Sequence, residues 1–278
     1  MPTPPRCTSS RPASGAGDHG LSERSHSTSG FFSNDTILLA PSDYTLVPSL
    51  QAKPTYDPIK DFAPITQMVR IPNVLVMNAD TAKRLKIATL KDFVAYARAN
   101  PAKLNYGSGG NGSAGHLGGE ILKARAGFFA VHIPYSGGAP SQLALLAGQV
   151  DYTLDNLATA APNIRAGKIN ALAVTSAQRS PLLPDVPTIA EVLPGYQSSA
   201  WFGLFGPARM DPALVRRLSD AARQAIQSPE VRKRIEFEGA TPVGNAPEDF
   251  AKPWAQGLPP MSLPAWRRRA LPRYWKWP

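Results

Sequence analysis

The chain of 278 residues contains one cysteine, Cys7, and only four histidines. A single cysteine excludes an internal disulfide framework and a metal site built on several cysteines. No run of about 18 uninterrupted apolar residues is present, so no membrane-spanning helix is predicted. Residues 1–34 are rich in Ser, Pro, Gly and Arg and lack the apolar core of a secretory signal. They offer little apolar surface to bury, and we expect this head to be disordered.

Acidic residues are absent from the carboxyl-terminal stretch, where much of the net charge of +10 is located. Residues 251–278 carry six Lys or Arg and no acid, whereas residues 35–250 carry 21 basic against 18 acidic side chains. The main body is therefore nearly neutral, and nucleic acid is not an expected partner. The tail is predicted to be irregular. A membrane- or RNA-binding role for it is disfavoured, because four prolines between residues 259 and 272 oppose an amphipathic helix.

Short apolar runs alternate with amphipathic segments from Thr36 onwards. Residues 36–40 and 73–77 are continuous apolar runs typical of strands buried on both faces. Thr89 and Asp92 form a capping pattern that predicts the start of a helix. Further strands are predicted near 129–133, 150–154, 171–175 and 201–205, and helices at 114–126, 140–146 and 157–166. This alternation predicts a parallel, doubly wound α/β architecture.

The carboxyl-terminal third carries clear helix boundaries. Asp211 and Pro212 predict the cap and first residue of one helix. Ser228 and Pro229 predict the start of the next helix, which Gly239 ends. A last helix is expected from Pro247, with a break at Pro253 within two turns.

A strand, a glycine-rich turn and a helix start follow one another in residues 104–120. Free backbone N–H groups and the helix dipole at such a turn favour a bound anion. Residues 107–112 match G-x-G-x-x-G, but no Asp or Glu lies between Glu120 and Asp151 to hold a ribose. A phosphate-binding Walker loop is excluded because Ser113 replaces its lysine. A small anion such as a carboxylate is therefore the predicted ligand of this turn. The alternative is a glycine-rich packing turn that binds no ligand.

Residues 135–140 repeat the arrangement of strand, glycine turn and helix start. Two such turns at the carboxyl ends of strands lie at one edge of an α/β sheet, where they would form one wall of a pocket. An ordinary connection between strand and helix is the alternative. Asp155 follows a predicted strand at the same level. Either Asp155 or Asn156 caps the next helix, or Asp155 accepts a hydrogen bond from a ligand or a bound water.

Catalysis is poorly supported by the histidines and serines of the sequence. His116 and His132 have neither metal-ligand spacing nor a cysteine to share a metal with. Ser108 and Ser113 lack the neighbours of a nucleophile elbow. No catalytic residue, metal or cofactor is therefore predicted, and His116 is interpreted as a structural or ligand-facing donor.

Taken together, these motifs resemble the Bug receptor family, the extracytoplasmic substrate-binding proteins of tripartite tricarboxylate transporters. The resemblance runs in order from about residue 35 to residue 250. Its landmarks are Tyr56-Asp57-Pro58, Asp61-Phe62-Ala63-Pro64, and residues 106–117, 135–140, 148–151, 155–156, 165–168, 171–176, 184–188 and 201–203.

The resemblance implies a two-domain α/β fold of the periplasmic-binding-protein type (type II), which closes on a small carboxylate like a flytrap. It further implies no cofactor, no catalysis and delivery of the ligand to membrane permease subunits. Residues 104–198 would form the second domain, and residues 35–103 plus 199–250 the first. The expected ligand-binding residues are Ser108, Gly109, Asn111, Gly112, Ser113, His116, Ser136, Gly137, Gly138, Asp155 and, from the first domain, Ser42.

The sequence also departs from the family pattern at both ends. The usual first strand, its Pro-Gly-Gly-rich loop and a further strand–helix unit are not recognised before residue 35, and the last helices are replaced after Ala251. We therefore expect an incomplete first domain, a gene truncated or frameshifted at both ends, and weak or absent ligand binding. The resemblance implies a periplasmic location, while the lack of a predicted signal peptide leaves a cytoplasmic one open. The alternative function is a nucleotide-binding α/β enzyme that uses the turn at 107–112.

Overall fold

A computed structural model describes residues 36–45, 53 and 55–255. The predicted disordered head, residues 1–34, and residues 256–278 of the predicted tail lie outside the described residues. The first five residues of that tail, 251–255, are helical rather than irregular. Across the described part of the chain, no helix combines the length and the apolar character that a membrane crossing requires.

Nine strands and eight α-helices occur in the described residues. The strands are β1 (Leu38–Pro41), β2 (Phe62–Ile71), β3 (Asn73–Asn78), β4 (Asn105–Ser108), β5 (Val131–Pro134), β6 (Tyr152–Asn156), β7 (Ile169–Val174), β8 (Ala200–Pro207) and β9 (Thr241–Pro242). The helices are α1 (Ala79–Leu85), α2 (Leu90–Ala99), α3 (Ala114–Ala126), α4 (Gly138–Leu146), α5 (Leu157–Arg165), α6 (Pro212–Gln227), α7 (Pro229–Phe237) and α8 (Pro247–Ala255).

The smaller sheet is antiparallel, with strand order β1-β8-β2-β9. Its long strand β2 was not predicted from the sequence. Two register shifts against β8, between Pro64 and Thr66 and between Gln67 and Val69, explain why. Each bulge shifts by one residue which side chains of β2 face inward. The alternation of apolar and polar side chains that marks a strand is therefore lost.

The larger sheet has strand order β5-β4-β6-β3-β7 and is covered by helices on both faces. Alternate residues of β3 serve the two faces, because Val74 and Val76 join one apolar cluster while Leu75 and Met77 join the other. All six residues of β3 are buried, as the continuous apolar run predicts.

The expectation of a parallel sheet is wrong for β3. Strands β4, β5 and β6 are parallel, but β3 runs antiparallel to both β6 and β7. The chain enters β3 directly from β2 of the smaller sheet through Pro72. It therefore runs through the larger sheet in the direction opposite to its neighbours β6 and β7. An apolar run shows that a strand is buried but does not show its direction.

Residues 73–103 lie with the larger sheet rather than with the smaller one. Strand β3 is internal to that sheet, and Phe93 of α2 packs in the same cluster as Tyr106 and Leu122. The sequence prediction, which placed 35–103 in the first domain, differs from the sheet topology over this stretch. The assignment of two closing domains stays a prediction.

Most helix boundaries follow the sequence signals. The Thr89 side chain accepts a hydrogen bond from Asp92 N–H, and Asp92 in turn accepts from Thr89 N–H, which completes the predicted capping box. Helix α3 has the predicted bounds, and Asp211 caps α6. The expected break at Pro253 is wrong, since α8 continues to Ala255. A proline in the last turn removes only one backbone hydrogen bond near a helix end.

Two chain crossings connect the sheets, and Thr175 joins them. The Asn73 N–H donates to Thr175 Oγ1 at 2.9 Å, and the Thr175 N–H donates to the Asn73 carbonyl at 2.8 Å. The Ser198 N–H, just before β8, donates to the Thr175 carbonyl at 3.3 Å. This buried junction fixes where the smaller sheet leaves the larger one.

Gly115 on α3 lies close to the backbone of β6. A Cβ atom at this position would lie 2.6 Å from the Leu154 carbonyl oxygen. We expect Gly115→Ala to lower the free energy of unfolding by about 1–3 kcal/mol, measured by urea denaturation, because backbone cannot move aside easily. Helix propensity alone predicts the opposite sign, a gain of about 1 kcal/mol. Stabilisation would therefore contradict this close approach, and the exposed Ala124→Ser on the same helix serves as the control.

Candidate functional site

The two glycine turns lie side by side at one edge of the larger sheet, because β4 and β5 are parallel neighbours. The Tyr135 N–H donates to the Ser108 carbonyl at 3.0 Å, and the Gly137 N–H donates to the Gly109 carbonyl at 3.2 Å. A Cβ atom on Gly109 would lie 3.2 Å from the nitrogen of Gly138. A side chain at residue 109 would therefore press on the second turn, which would have to shift by a few tenths of an ångström.

Several amide groups of these turns have no hydrogen-bond acceptor among the described residues. They are the N–H groups of Gly109 and Asn111 in the first turn, and those of Ser136 and Gly138 in the second. Asn111, Ser136 and Gly138 are exposed, and Gly109 is half-buried. Helices α3 and α4 begin at these turns, so the positive ends of both dipoles add to the free donors. Amide donors without an acceptor, at two adjacent helix starts and on mostly exposed residues, are suited to an anion.

Other predicted site residues hold the first turn from within. The Gly112 N–H donates to Nδ1 of His116 at 3.0 Å, and the Ser113 hydroxyl oxygen accepts from the His116 N–H at 3.3 Å. Ser108 Oγ accepts from the Gly110 N–H at 3.2 Å and lies 3.1 Å from the Gly110 carbonyl oxygen. These side chains and the Gly112 amide are therefore already engaged in the protein.

Two stacked imidazoles lie beneath the first turn. The rings of His116 and His132 are 4.2 Å apart between centroids and inclined by 22°. Tyr106 covers the His132 ring at 4.8 Å. Burial and, to a smaller extent, the neighbouring His116 lower the pKa of His132 to about 4. Burial also lowers the pKa of His116. Both rings are therefore neutral near pH 7.

Asp155 lies at the end of β6, beside the second turn. A Cβ atom on Gly138 would lie 3.9 Å from Asp155 Oδ1. The carboxylate accepts hydrogen bonds from Gln142 Nε2 at 2.8 Å, from the Asn156 N–H at 2.8 Å and from the Thr159 hydroxyl at 3.1 Å. Burial raises the pKa of Asp155, while these three donors oppose that shift. Asn156 takes the N-cap position of α5 without a side-chain hydrogen bond.

Ser42 occupies a different part of the molecule. It begins a short 3₁₀ turn after β1 of the smaller sheet, where its carbonyl accepts from the Thr45 hydroxyl at 2.7 Å. No hydrogen bond joins it to either glycine turn within the described residues. The structure therefore brings the predicted residues of the larger sheet together, and a shared site with Ser42 stays a prediction.

The pair Ser108 and His132 has the contact distance of a nucleophile and its base, since Oγ and Nε2 are 2.7 Å apart. Three features oppose that role. Ser108 is only 3% exposed, its hydroxyl is shared with Gly110, and no acceptor orients Nδ1 of His132 within the described residues. A pKa near 4 also makes His132 a poor base at neutral pH. In the same part of the chain, no group of His, Cys, Asp or Glu is arranged to hold a metal ion.

The fold is that of the periplasmic substrate-binding proteins. A Rhodopseudomonas palustris protein solved with adipate superimposes with a TM-score of 0.75 at 33% identity, covering 81% of this chain and 76% of that one. MatC from the same organism, solved with bound malate, superimposes with a TM-score of 0.71 at 30% identity, covering 80% of this chain and 76% of that one.

The chain belongs to the tripartite tricarboxylate transporter family of receptors, whose family model matches residues 29–256. BugT of Bordetella pertussis is 33% identical over 216 residues, which make up 77% of this chain and 65% of BugT. The chain thus spans about two thirds of the length of this relative. Membership confirms the resemblance that the ordered motifs indicate.

The lowered pKa of His132 predicts a pH-dependent stability. The unfolded chain binds the proton more readily, so the contribution of this group is complete above the ordinary pKa of 6.5 and is lost as the pH falls towards 4. We expect His132→Phe, which keeps an aromatic ring but cannot be protonated, to reduce the loss of stability across this range. Urea denaturation of both proteins at a series of pH values measures the difference. Identical pH profiles would contradict the buried neutral ring.

Proposed function

We propose that this chain is an extracytoplasmic receptor that captures a small carboxylate and delivers it to the membrane permease subunits of a tripartite tricarboxylate transporter. Family membership supports the transport role. The observation that carries the ligand class is the pair of adjacent turns whose N–H groups have no acceptor among the described residues. Adipate and malate, present in two structural relatives, are both dicarboxylates, and they support a short dicarboxylate as the ligand.

Backbone amides bind the ligand carboxylate in this proposal. The free N–H groups of Gly109 and Asn111 come from one helix start, and those of Ser136 and Gly138 from the other. A hydrogen bond from an amide to a charged acceptor contributes about 1.5–3 kcal/mol, so two or three of them suffice for capture. Binding requires no bond to be made or broken, and the chain acts as a receptor rather than as an enzyme.

Asp155 has a separate role in the proposed site. A carboxylate offers about four acceptor positions, and three donors occupy Asp155. In this proposal, the remaining position accepts from a hydroxyl of the ligand or from a bound water. Ser42, from the smaller sheet, completes the site from the opposite side when the receptor closes.

The nucleotide-binding alternative receives less support. In a dinucleotide fold, an acidic residue at the end of the second strand holds the ribose. Here β5 ends in Pro134 and is followed by Tyr135 and Ser136. The Gly112 amide of the G-x-G-x-x-G motif is also bonded to His116 instead of being free for a phosphate. Fluorescence titration with NADH is expected to give no saturable response.

A valine at position 109 tests the carboxylate site. Its side chain would meet the second turn, whose nearest backbone nitrogen is 3.2 Å from the Cβ position, and would separate the two sets of amides. We expect isothermal titration to show binding of malate or adipate to the full chain, and Gly109→Val to weaken it at least about tenfold, or 1.4 kcal/mol. Leu143→Ser, at an exposed position of α4, is the matched control.

Two results would contradict the proposal: equal affinities of the wild type and Gly109→Val, or no binding of any short dicarboxylate to the wild type. The same titration tests the prediction from the sequence that ligand binding is weak or absent.

A further inference from the structure

We propose that His116 and His132 are positioning residues, which in their neutral form hold the first glycine turn so that its free amides face the ligand. This inference rests on the proposed carboxylate site, and it assigns to the two histidines a role beneath the turn. Neither ring needs to touch the ligand in this arrangement.

His116 fixes one end of the turn through an acceptor nitrogen. The Gly112 N–H donates to Nδ1 at 3.0 Å, so this nitrogen carries no proton and the ring proton is on Nε2. Gly112 has a φ of 85°, in the left-handed region. The hydrogen bond therefore helps to hold a backbone conformation that glycine would otherwise exchange for others.

His132 supports the other end through Ser108. Its Nε2 lies 2.7 Å from Ser108 Oγ, and the same hydroxyl contacts both the N–H and the carbonyl of Gly110. Gly110 has a φ of 123°, a second unusual backbone conformation within the turn. Both glycines are thus tied to an imidazole, one directly and one through a buried hydroxyl.

The charges around the stacked rings do not favour a cation. Glu120, the acidic group that acts on both rings, accepts from the Tyr106 hydroxyl at 2.5 Å and from Lys123 Nζ at 2.7 Å. Lys123 therefore pairs with this carboxylate and opposes its attraction for a proton on either ring.

Protonation of His116 would turn its Nδ1 from an acceptor into a donor that faces the Gly112 N–H. Two donors cannot share that contact, so the turn would have to change its conformation. Carboxylate affinity should then fall as the solution is acidified. A histidine that contacts the ligand directly predicts the opposite sign, because an imidazolium attracts an anion. The sign of the pH dependence distinguishes the two arrangements.

Two substitutions at residue 116 test the acceptor. His116→Leu removes it, and His116→Asn places an amide oxygen near the position of Nδ1 but cannot be protonated in this pH range. We expect His116→Leu to weaken malate or adipate binding at least about tenfold, and His116→Asn to recover most of that loss. Between about pH 7.5 and pH 5, wild-type affinity should fall more steeply than that of His116→Asn.

Nuclear magnetic resonance on the full chain gives a readout that needs no ligand. We expect nitrogen shifts of the His116 ring to report an unprotonated Nδ1 at neutral pH, and the Gly112 amide to be protected from hydrogen exchange. Protection should be lost in His116→Leu and retained in His116→Asn.

The inference is overturned if Nδ1 carries the proton, if wild-type affinity rises on acidification, or if the two variants bind equally weakly. If no dicarboxylate binds to any of the proteins, the proposed carboxylate site is wrong. Hydrogen exchange of the Gly112 amide then tests the role of His116 independently. Unchanged protection in His116→Leu would then refute the positioning role.

Discussion

Gly109 lies where any side chain would meet the backbone of the neighbouring turn, and its carbonyl accepts the hydrogen bond that joins the two turns. This contact is possible because β4 and β5 are parallel neighbours, so that each strand ends at the same edge and leads into a helix. The free amides of the two helix starts therefore lie close together. One contact between two glycine turns thus determines how the free amides of both helix starts are arranged.

Beneath the first turn, polar groups are engaged in a way that leaves the outer amides free. Imidazole nitrogens and the Ser108 hydroxyl take up the inward-facing groups of Gly110 and Gly112, and the charge of Glu120 is matched by Lys123. Inward donors that lack a partner would compete for the ligand or destabilise the turn. Away from the turns, the hydrogen bonds of Thr175 also engage buried polar groups. They fix the place where the chain crosses between the two sheets.

Local signals in the sequence predicted those features that depend on neighbouring residues alone. The capping box at Thr89, the bounds of α3 and the burial of β3 follow from short-range patterns. Features that depend on pairing between distant segments were missed or wrong. The bulges in β2 removed the alternating pattern by which a strand is predicted. The direction of β3 depends on the sheet from which the chain enters it. The role of His132 becomes visible only when β5 is placed beside β4, because its partner Ser108 is 24 positions away.

The most direct test of the carboxylate surface is a titration of the ¹⁵N-labelled full chain with malate or adipate, followed by amide resonances. If the free amides bind the ligand carboxylate, saturable shifts are expected at Gly109, Asn111, Ser136 and Gly138. Gly127, Gly148 and Gly195, away from the two turns, should remain unchanged. Shifts that spare the two turns, or that appear equally at the distant glycines, would contradict the central claim.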